Sequence, residues 1–275
     1  MPILNKETQL CISLAARPSN IGTRFHNYLY QELDLNFVYK AFAPTDLADA
    51  IRGVRGLPIR GAAVSMPYKE AVIPMVDHLD ESAAAIDSVN TVVNDGGLLT
   101  AYNTDYLAVA RILGEHALPE ASAVLLRGSG GMAKAVVAAF RDAGFAQLTV
   151  VSRNEETGRA LAGRYGFEWV PEQRLVDGEA PPADVLVNVT PLGMAGAEAD
   201  VLAFPEAAIS AAHTVFDVVA FPDRTPLIRR AVADGKQVIT GAEVIARQAE
   251  EQFVLYTGVR PDPELVKAAS EFSRG

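Results

Sequence analysis

The feature that most constrains this 275-residue chain is a glycine-rich turn set between an apolar run and a helical pattern. Residues 123–127 (AVLLR) read as a buried strand, and Gly128-Ser129-Gly130-Gly131-Met132-Ala133 follows directly. Apolar positions then recur with helical spacing over 132–143. Strand, G-x-G-x-x-A and helix in that order fit a phosphate-cradling turn. The first glycine permits the tight turn, the second lets backbone approach a pyrophosphate, and Ala133 lets the helix pack closely on the strand. The helix N-terminus then offers its N–H groups to the phosphates. The flanks carry this reading, because a lone glycine triplet is common by chance.

The rhythm around the turn is β-α-β. A second strand is predicted over 147–152 (QLTVVS), a helix around 155–165, and further strands over 184–189 (DVLVNV) and 213–219 (HTVFDVV). Strands separated by crossover helices imply a doubly wound parallel sheet, here a Rossmann-like domain over 105–239. Upstream, strands over 9–14 and 36–42 flank a helix over 22–33, and a helix over 44–54 follows. Next come a strand over 61–65, a helix over 67–79, and a hairpin whose arms 90–94 and 98–102 flank Asp95-Gly96-Gly97. Helical patterns over 242–256 and 263–272 close the chain. The expected fold class is therefore α/β in two domains, the first over 1–104. Pattern alone leaves open which domain takes the C-terminal pair.

A formal net charge of −10 argues against an electrostatic grip on nucleic acid or an anionic membrane. An anionic cofactor must then be held by local groups. Ser152-Arg153-Asn154 ends the second predicted strand of the cofactor domain, where dinucleotide sites read the adenosine ribose. Arg153 favours NADP, while Glu155 and Glu156 weaken that preference, so NADP and NAD both stand.

The single Cys11 allows no intrachain disulfide, and His26, His78, His116 and His213 show no metal-ligand spacing, so no metal is expected. No stretch approaches the ~20 apolar residues of a membrane span, and the start lacks the basic cap and apolar run of a signal peptide. The expectation is a cytoplasmic protein with a small-molecule partner, without nucleic acid or membrane, and either monomeric or homodimeric.

Three polar residues stand out as candidates for chemistry. Pro67 suits the first position of a helix, which would put Lys69 in its first turn, against the helix dipole. A lysine so placed deprotonates more easily and suits proton transfer, although a solvated surface lysine fits equally well. Asp105 opens an apolar-periodic stretch, as a residue of the capping turn or as a carboxylate that pairs with Lys69. Gln248 falls beside the apolar face of 242–256, where an amide needs either an internal partner or a ligand.

Together these segments resemble the shikimate dehydrogenase family. GAAVSMPYKE, SVNTVV, AYNTDY, GSGGMAKAV, VNVTPLGM and ARQAEEQF occur in the family's order across roughly residues 14–253. The resemblance implies an NAD(P)-dependent CH–OH oxidoreductase acting on shikimate or a close cyclic hydroxy acid, within aromatic amino acid biosynthesis. It implies Lys69 as catalytic lysine, with Asp105 pairing to it and binding a substrate hydroxyl. Ser65, Asn90 and Gln248 match hydroxyl-binding positions. Gly128, Ser129, Gly130, Gly131, Met132, Ser152, Arg153, Asn188, Thr190, Val218 and Gly241 match cofactor-lining positions. It also joins residues 240–275 to the first domain, making that domain discontinuous, with the nicotinamide held in a cleft between the two.

The departures are specific. The Ser-x-Ser that holds the substrate carboxylate in the family aligns with Asn20-Ile21-Gly22, followed by Thr23, and Asn20 and Thr23 become the expected replacements. A supporting Tyr aligns with Ala220, Gly-Leu-Gly-Met with Gly241-Ala242-Glu243-Val244, and a second cofactor Arg with Thr157, which further weakens NADP. These differences resemble the family's shikimate dehydrogenase-like branch and imply slow turnover of shikimate itself. Quinate dehydrogenation, or a non-catalytic sensor of dinucleotide and cyclic acid, are the alternatives.

Overall fold

The computed structural model describes residues 4–275. In chain order the first elements are β1 (Gln9–Leu14), α1 (Ile21–Glu32), β2 (Phe37–Phe42), α2 (Leu47–Gly56) and β3 (Gly61–Val64). After these come β4 (His78–Leu79), α3 (Glu81–Ala84), β5 (Thr91–Asp95), β6 (Leu98–Tyr102) and α4 (Thr104–Glu115). Strands β1 to β6 form a mixed sheet in the order β2-β1-β3-β5-β6-β4. β1 pairs in parallel with β2 and β3, while β5 runs antiparallel to both β3 and β6. Gly96 and Gly97, both at positive φ, form the β5–β6 turn, a conformation glycine adopts without steric cost.

The second set comprises β7 (Val124–Arg127), α5 (Gly131–Asp142), β8 (Leu148–Ser152), α6 (Glu155–Tyr165), β9 (Glu168–Pro171), α7 (Glu172–Val176), β10 (Val185–Asn188), α8 (Glu206–Ala211), β11 (Thr214–Asp217), α9 (Pro226–Ala233) and β12 (Gln237–Ile239). Its sheet is parallel throughout, ordered β12-β11-β10-β7-β8-β9. Counted from β7, that is the 3-2-1-4-5-6 order of a Rossmann-type sheet, whose order reverses between β7 and β10. α5 buries Ala133 and every residue from Ala135 to Phe140, as the close helix–strand approach requires. The chain ends in α10 (Gly241–Thr257) and α11 (Pro263–Arg274).

By contacts the chain forms two compact units, Met1–Leu107 with Ala246–Gly275, and Ala108–Ile245. Both crossings fall inside helices, α4 and α10, a few residues beyond the boundaries expected at 104 and 239. A continuous helix has no break in periodicity to betray a boundary. The shift matters because it puts Asp105 in the same unit as Lys69. In that unit α1 buries Phe25, Leu29 and Tyr30 against Phe253 and Tyr256 of α10 and Val266 and Ala269 of α11. Cys11 on β1 is buried among them, and burial pushes its thiol up to about 12, which makes it inert.

One expected element is absent. Residues 67–79 do not form a helix but a run of turns, with a short 3₁₀ segment at Ile73–Met75. Pro74 explains this: it has no N–H to donate and disfavours helical geometry in the residue before it. The Met66–Pro67 peptide is cis, and the Lys69 carbonyl accepts from Val89 N–H at 2.9 Å rather than from a helical neighbour. Lys69 therefore does not sit on a helix N-terminus, and the expected first-turn helix dipole does not oppose its charge.

Candidate active site

The first unit carries a polar cavity of about 240 Å³ at the C-terminal ends of β1 and β3. Lys69 and Asp105 line it together, with Lys69 Nζ donating to Asp105 Oδ2 at 2.7 Å. Each is held by backbone. The turn that presents Lys69 closes with Tyr68 N–H donating to Ser65 carbonyl, and the Lys69 carbonyl ties to Val89. Asp105 lies in the first turn of α4, which Asn103 caps by accepting from Tyr106 N–H at 3.0 Å. A carboxylate there is favoured by the helix dipole. The two side chains are 31% and 20% exposed, dry enough to strengthen the pair and open enough to meet a ligand.

Asn90 stands behind the pair. Its Oδ1 accepts from Thr104 N–H at 2.8 Å, Thr104 Oγ1 at 3.0 Å and Thr91 Oγ1 at 2.9 Å, which locks the amide. Its Nδ2 is then a buried donor without a partner among the described residues, on a residue that lines the cavity. A ligand hydroxyl is the kind of acceptor such a donor fits. Ser65 and Gln248 also line the cavity, Gln248 donating to Thr104 Oγ1 at 3.1 Å. Of the expected substrate residues, Ser65, Lys69, Asn90, Asp105 and Gln248 thus converge.

Asn20 and Thr23 do not line this cavity. Asn20 is exposed at the start of α1, and Thr23 faces a different cavity, between α1, β2 and Phe272. The loop reaches the site earlier than alignment suggests, through Arg17, Pro18 and Ser19, with Gly22 behind them. Gln252, Tyr39 and Ser13 complete the wall and lie outside the sequence expectation. Gln252 has a signal: it lies one helical turn beyond Gln248, and it is buried, donating to Thr91 Oγ1 at 3.0 Å. Arg17, Ser13 and Tyr39 have none, since only assembly of the β1–β2–β3 sheet brings them together.

The second unit carries a cavity of about 260 Å³ at the C-terminal ends of β7, β8 and β10, where the sheet order reverses. Gly128, Ser129, Gly130, Ser152, Arg153 and Thr190 line it. Gly128 has φ +122° and lies so close to β10 that a Cβ would come within 2.8 Å of Val189 Cγ2. No side chain caps the N-terminus of α5; Ala133 N–H donates to the Gly130 carbonyl at 3.0 Å, and no side chain competes with an anion for the opening of the helix. These features fit a dinucleotide. Gly131 and Met132 open α5 without lining the cavity.

Asn188 is fully buried and does not line it either. It accepts from Thr190 N–H and Oγ1 at 3.1 and 2.6 Å and donates to Asp217 Oδ1 at 3.0 Å, so it positions the Thr190 turn. Burial raises the Asp217 carboxyl above its ordinary range, opposed by donation from Thr225, Val219 and Asn188. Val218 and Gly241 pack together away from the cavity, a Cβ on Gly241 falling 2.2 Å from the Val219 carbonyl. At the Arg153 end, Glu155 pairs with Arg159 at 2.8 Å, Thr157 bonds Ser129 Oγ at 2.7 Å, and Asn154 caps α6. Glu155 is thereby drawn into an ion pair of its own beside Arg153.

Comparison with known proteins accords with this arrangement. The model of the shikimate dehydrogenase substrate binding domain matches residues 20–92. The chain is 54% identical over 273 residues to the shikimate dehydrogenase-like protein of Haemophilus influenzae, covering 99% of each. The chain belongs to the shikimate dehydrogenase family. Among solved family members, shikimate 5-dehydrogenase from Thermus thermophilus in complex with NADP(H) and shikimate superposes with a TM-score of 0.83 at 28% identity, covering 96% of this chain and 99% of that one. Quinate dehydrogenase from Corynebacterium glutamicum in complex with NAD gives 0.86 at 28% identity, covering 96% and 98%. Structural relatives in the family thus bind NADP or NAD. Among the described residues no helix is long and apolar enough to cross a membrane.

Proposed function

We propose that this protein is an NAD(P)-dependent oxidoreductase that interconverts a cyclic secondary alcohol and its ketone, with shikimate and 3-dehydroshikimate as the first pair to test. The observation that carries the reading is the 2.7 Å Lys69–Asp105 pair inside a cavity lined by amide and hydroxyl groups. A bound nicotinamide supplies or accepts the hydride. Lys69 manages the proton that accompanies it: its ammonium donates to the oxygen as negative charge develops there, and its amine takes the proton back in the reverse direction. Asp105 holds the ammonium in place, and its second oxygen is available to a neighbouring ring hydroxyl. Asn90 Nδ2, Ser65 and Gln248 orient the remaining hydroxyls.

Gly128 to Gly130 and the uncapped start of α5 would hold the cofactor pyrophosphate, with Arg153 near the adenosine ribose. Arg153 favours a 2′-phosphate, and the Glu155–Arg159 pair offsets one of the acids that oppose it, which makes NADP the preferred cofactor in this reading. Purified protein incubated with shikimate and NADP⁺ or NAD⁺ is expected to produce reduced nicotinamide, and Lys69→Ala to slow it by roughly two to four orders of magnitude. Equal inactivity of wild type and variant on shikimate, quinate and aminoshikimate contradicts the proposal.

A further inference from the structure

We propose that Arg17 is the anchor for the substrate's carboxylate, the residue that makes this cavity select a cyclic acid over a neutral cyclic alcohol. The inference rests on the reading above and supplies what the loop before α1 otherwise lacks. The groups lining the cavity include two cations, Lys69 and Arg17, and one acid, Asp105. Lys69 is neutralised by Asp105 at 2.7 Å. Arg17 makes no hydrogen bond or ion pair among the described residues, so the wall of the cavity carries one uncompensated positive charge in a chain of net charge −10. An unpaired guanidinium on the wall of a polar cavity is matched by a carboxylate, whose two oxygens fit its planar fork.

The backbone favours the same role. Arg17 lies three residues beyond β1, and its loop is pinned where it leaves the strand, Ala15 N–H donating to Phe42 carbonyl at 3.1 Å and Ala16 N–H to Met66 carbonyl at 3.4 Å. Ser65, on the segment that presents Lys69, is itself tied to β1 by its N–H donating to Leu14 carbonyl at 2.9 Å. The loop that carries the free cation and the turn that carries the proton donor are therefore fastened to one strand end. Ser19, two residues on, lines the same wall and offers a hydroxyl as a second donor. Neither Asn20 nor Thr23 can take this part, because neither lines the cavity.

The test compares shikimate with its uncharged methyl ester in wild type, Arg17→Ala and Arg17→Lys, reading KM and kcat separately, with calorimetric binding of shikimate as a second readout. Loss of a charge-assisted, bidentate contact is expected to raise the KM for shikimate roughly 10- to 100-fold in Arg17→Ala, with kcat changed far less and the ester unaffected. Arg17→Lys should recover part of the loss, since it restores charge without the planar fork. Unchanged KM for the acid in Arg17→Ala, or an equal rise for acid and ester, overturns the assignment while leaving the proposed reaction intact. A wild-type protein that neither turns over nor binds shikimate, quinate or aminoshikimate overturns both.

Discussion

Lys69 and Asp105 stand 36 positions apart in the chain and 2.7 Å apart in space, each presented by a short backbone feature, a pinned turn for the amine and a capped helix start for the carboxylate. The two backbone supports are independent of each other, and the carboxylate then orients the ammonium. Proton transfer needs such an arrangement, because a donor that has to be reset at each turnover loses the advantage of preorganisation.

Removing either member should impair chemistry more than binding. Lys69→Ala is expected to lower kcat roughly 10²- to 10⁴-fold, the range for a positioned acid–base group, with a smaller change in KM. Asp105→Asn should also reduce kcat, since it removes the charge that orients the ammonium. Circular dichroism should be unchanged in both. A large rise in KM at constant kcat would assign the pair to binding alone.

Gly128→Ala should damage cofactor binding and stability together. The residue has φ +122°, and its new Cβ would meet Val189 Cγ2 at 2.8 Å and the Val189 carbonyl carbon at 3.1 Å. A backbone strain of about 1–3 kcal/mol is expected, visible as a lower denaturation midpoint, with a raised KM for the dinucleotide. An unaltered midpoint would mean that the turn relaxes freely.

Arg153→Ala should move cofactor preference. With the proposed 2′-phosphate contact removed, kcat/KM with NADP⁺ is expected to fall about tenfold while that with NAD⁺ holds or rises. Equal losses with both cofactors would remove Arg153 from the discrimination.

His26 should make stability depend on pH. It is fully buried on α1, stacked on Tyr39 with ring centroids 4.5 Å apart, and burial lowers its pKa to about 3, against a smaller opposing pull from Gln252. Because the folded pKa lies below the unfolded value of 6.5, its contribution is fully present above pH 6.5 and is lost as pH falls toward 3. From pH 7.5 to pH 5 this one group costs about 2 kcal/mol. Urea unfolding of wild type and His26→Phe at the two pH values measures it. The variant should lose that increment of pH dependence, and equal slopes would place the dependence elsewhere.

What the sequence reveals and what it conceals divide along physical lines. The glycine turn, the β5–β6 hairpin and the long helices α6, α10 and α11 are legible because periodicity, turn residues and caps are local. β9, α7 and β12 are only three to five residues long and leave no period to read. The expectation of a helix over 67–79 weighs Pro67 as a start and neglects Pro74 as a stop. Within the candidate site, Lys69, Asp105 and Asn90 are picked out by motif resemblance and Gln248 also by its place on the helical face, whereas Gln252, one turn further on, is missed. Arg17 is found only in three dimensions, since nothing near it in sequence says that the end of β1 opens into a polar cavity.

Whether the amine and the carboxylate form one unit is decided by a double-mutant cycle: kcat of wild type, Lys69→Ala, Asp105→Asn and Lys69→Ala/Asp105→Asn, measured with shikimate and the preferred cofactor. If the two side chains act as one proton-handling unit, the double variant should be about as slow as Lys69→Ala alone. Losses that multiply across the two positions would contradict the account, because they would mean that the amine and the carboxylate work independently.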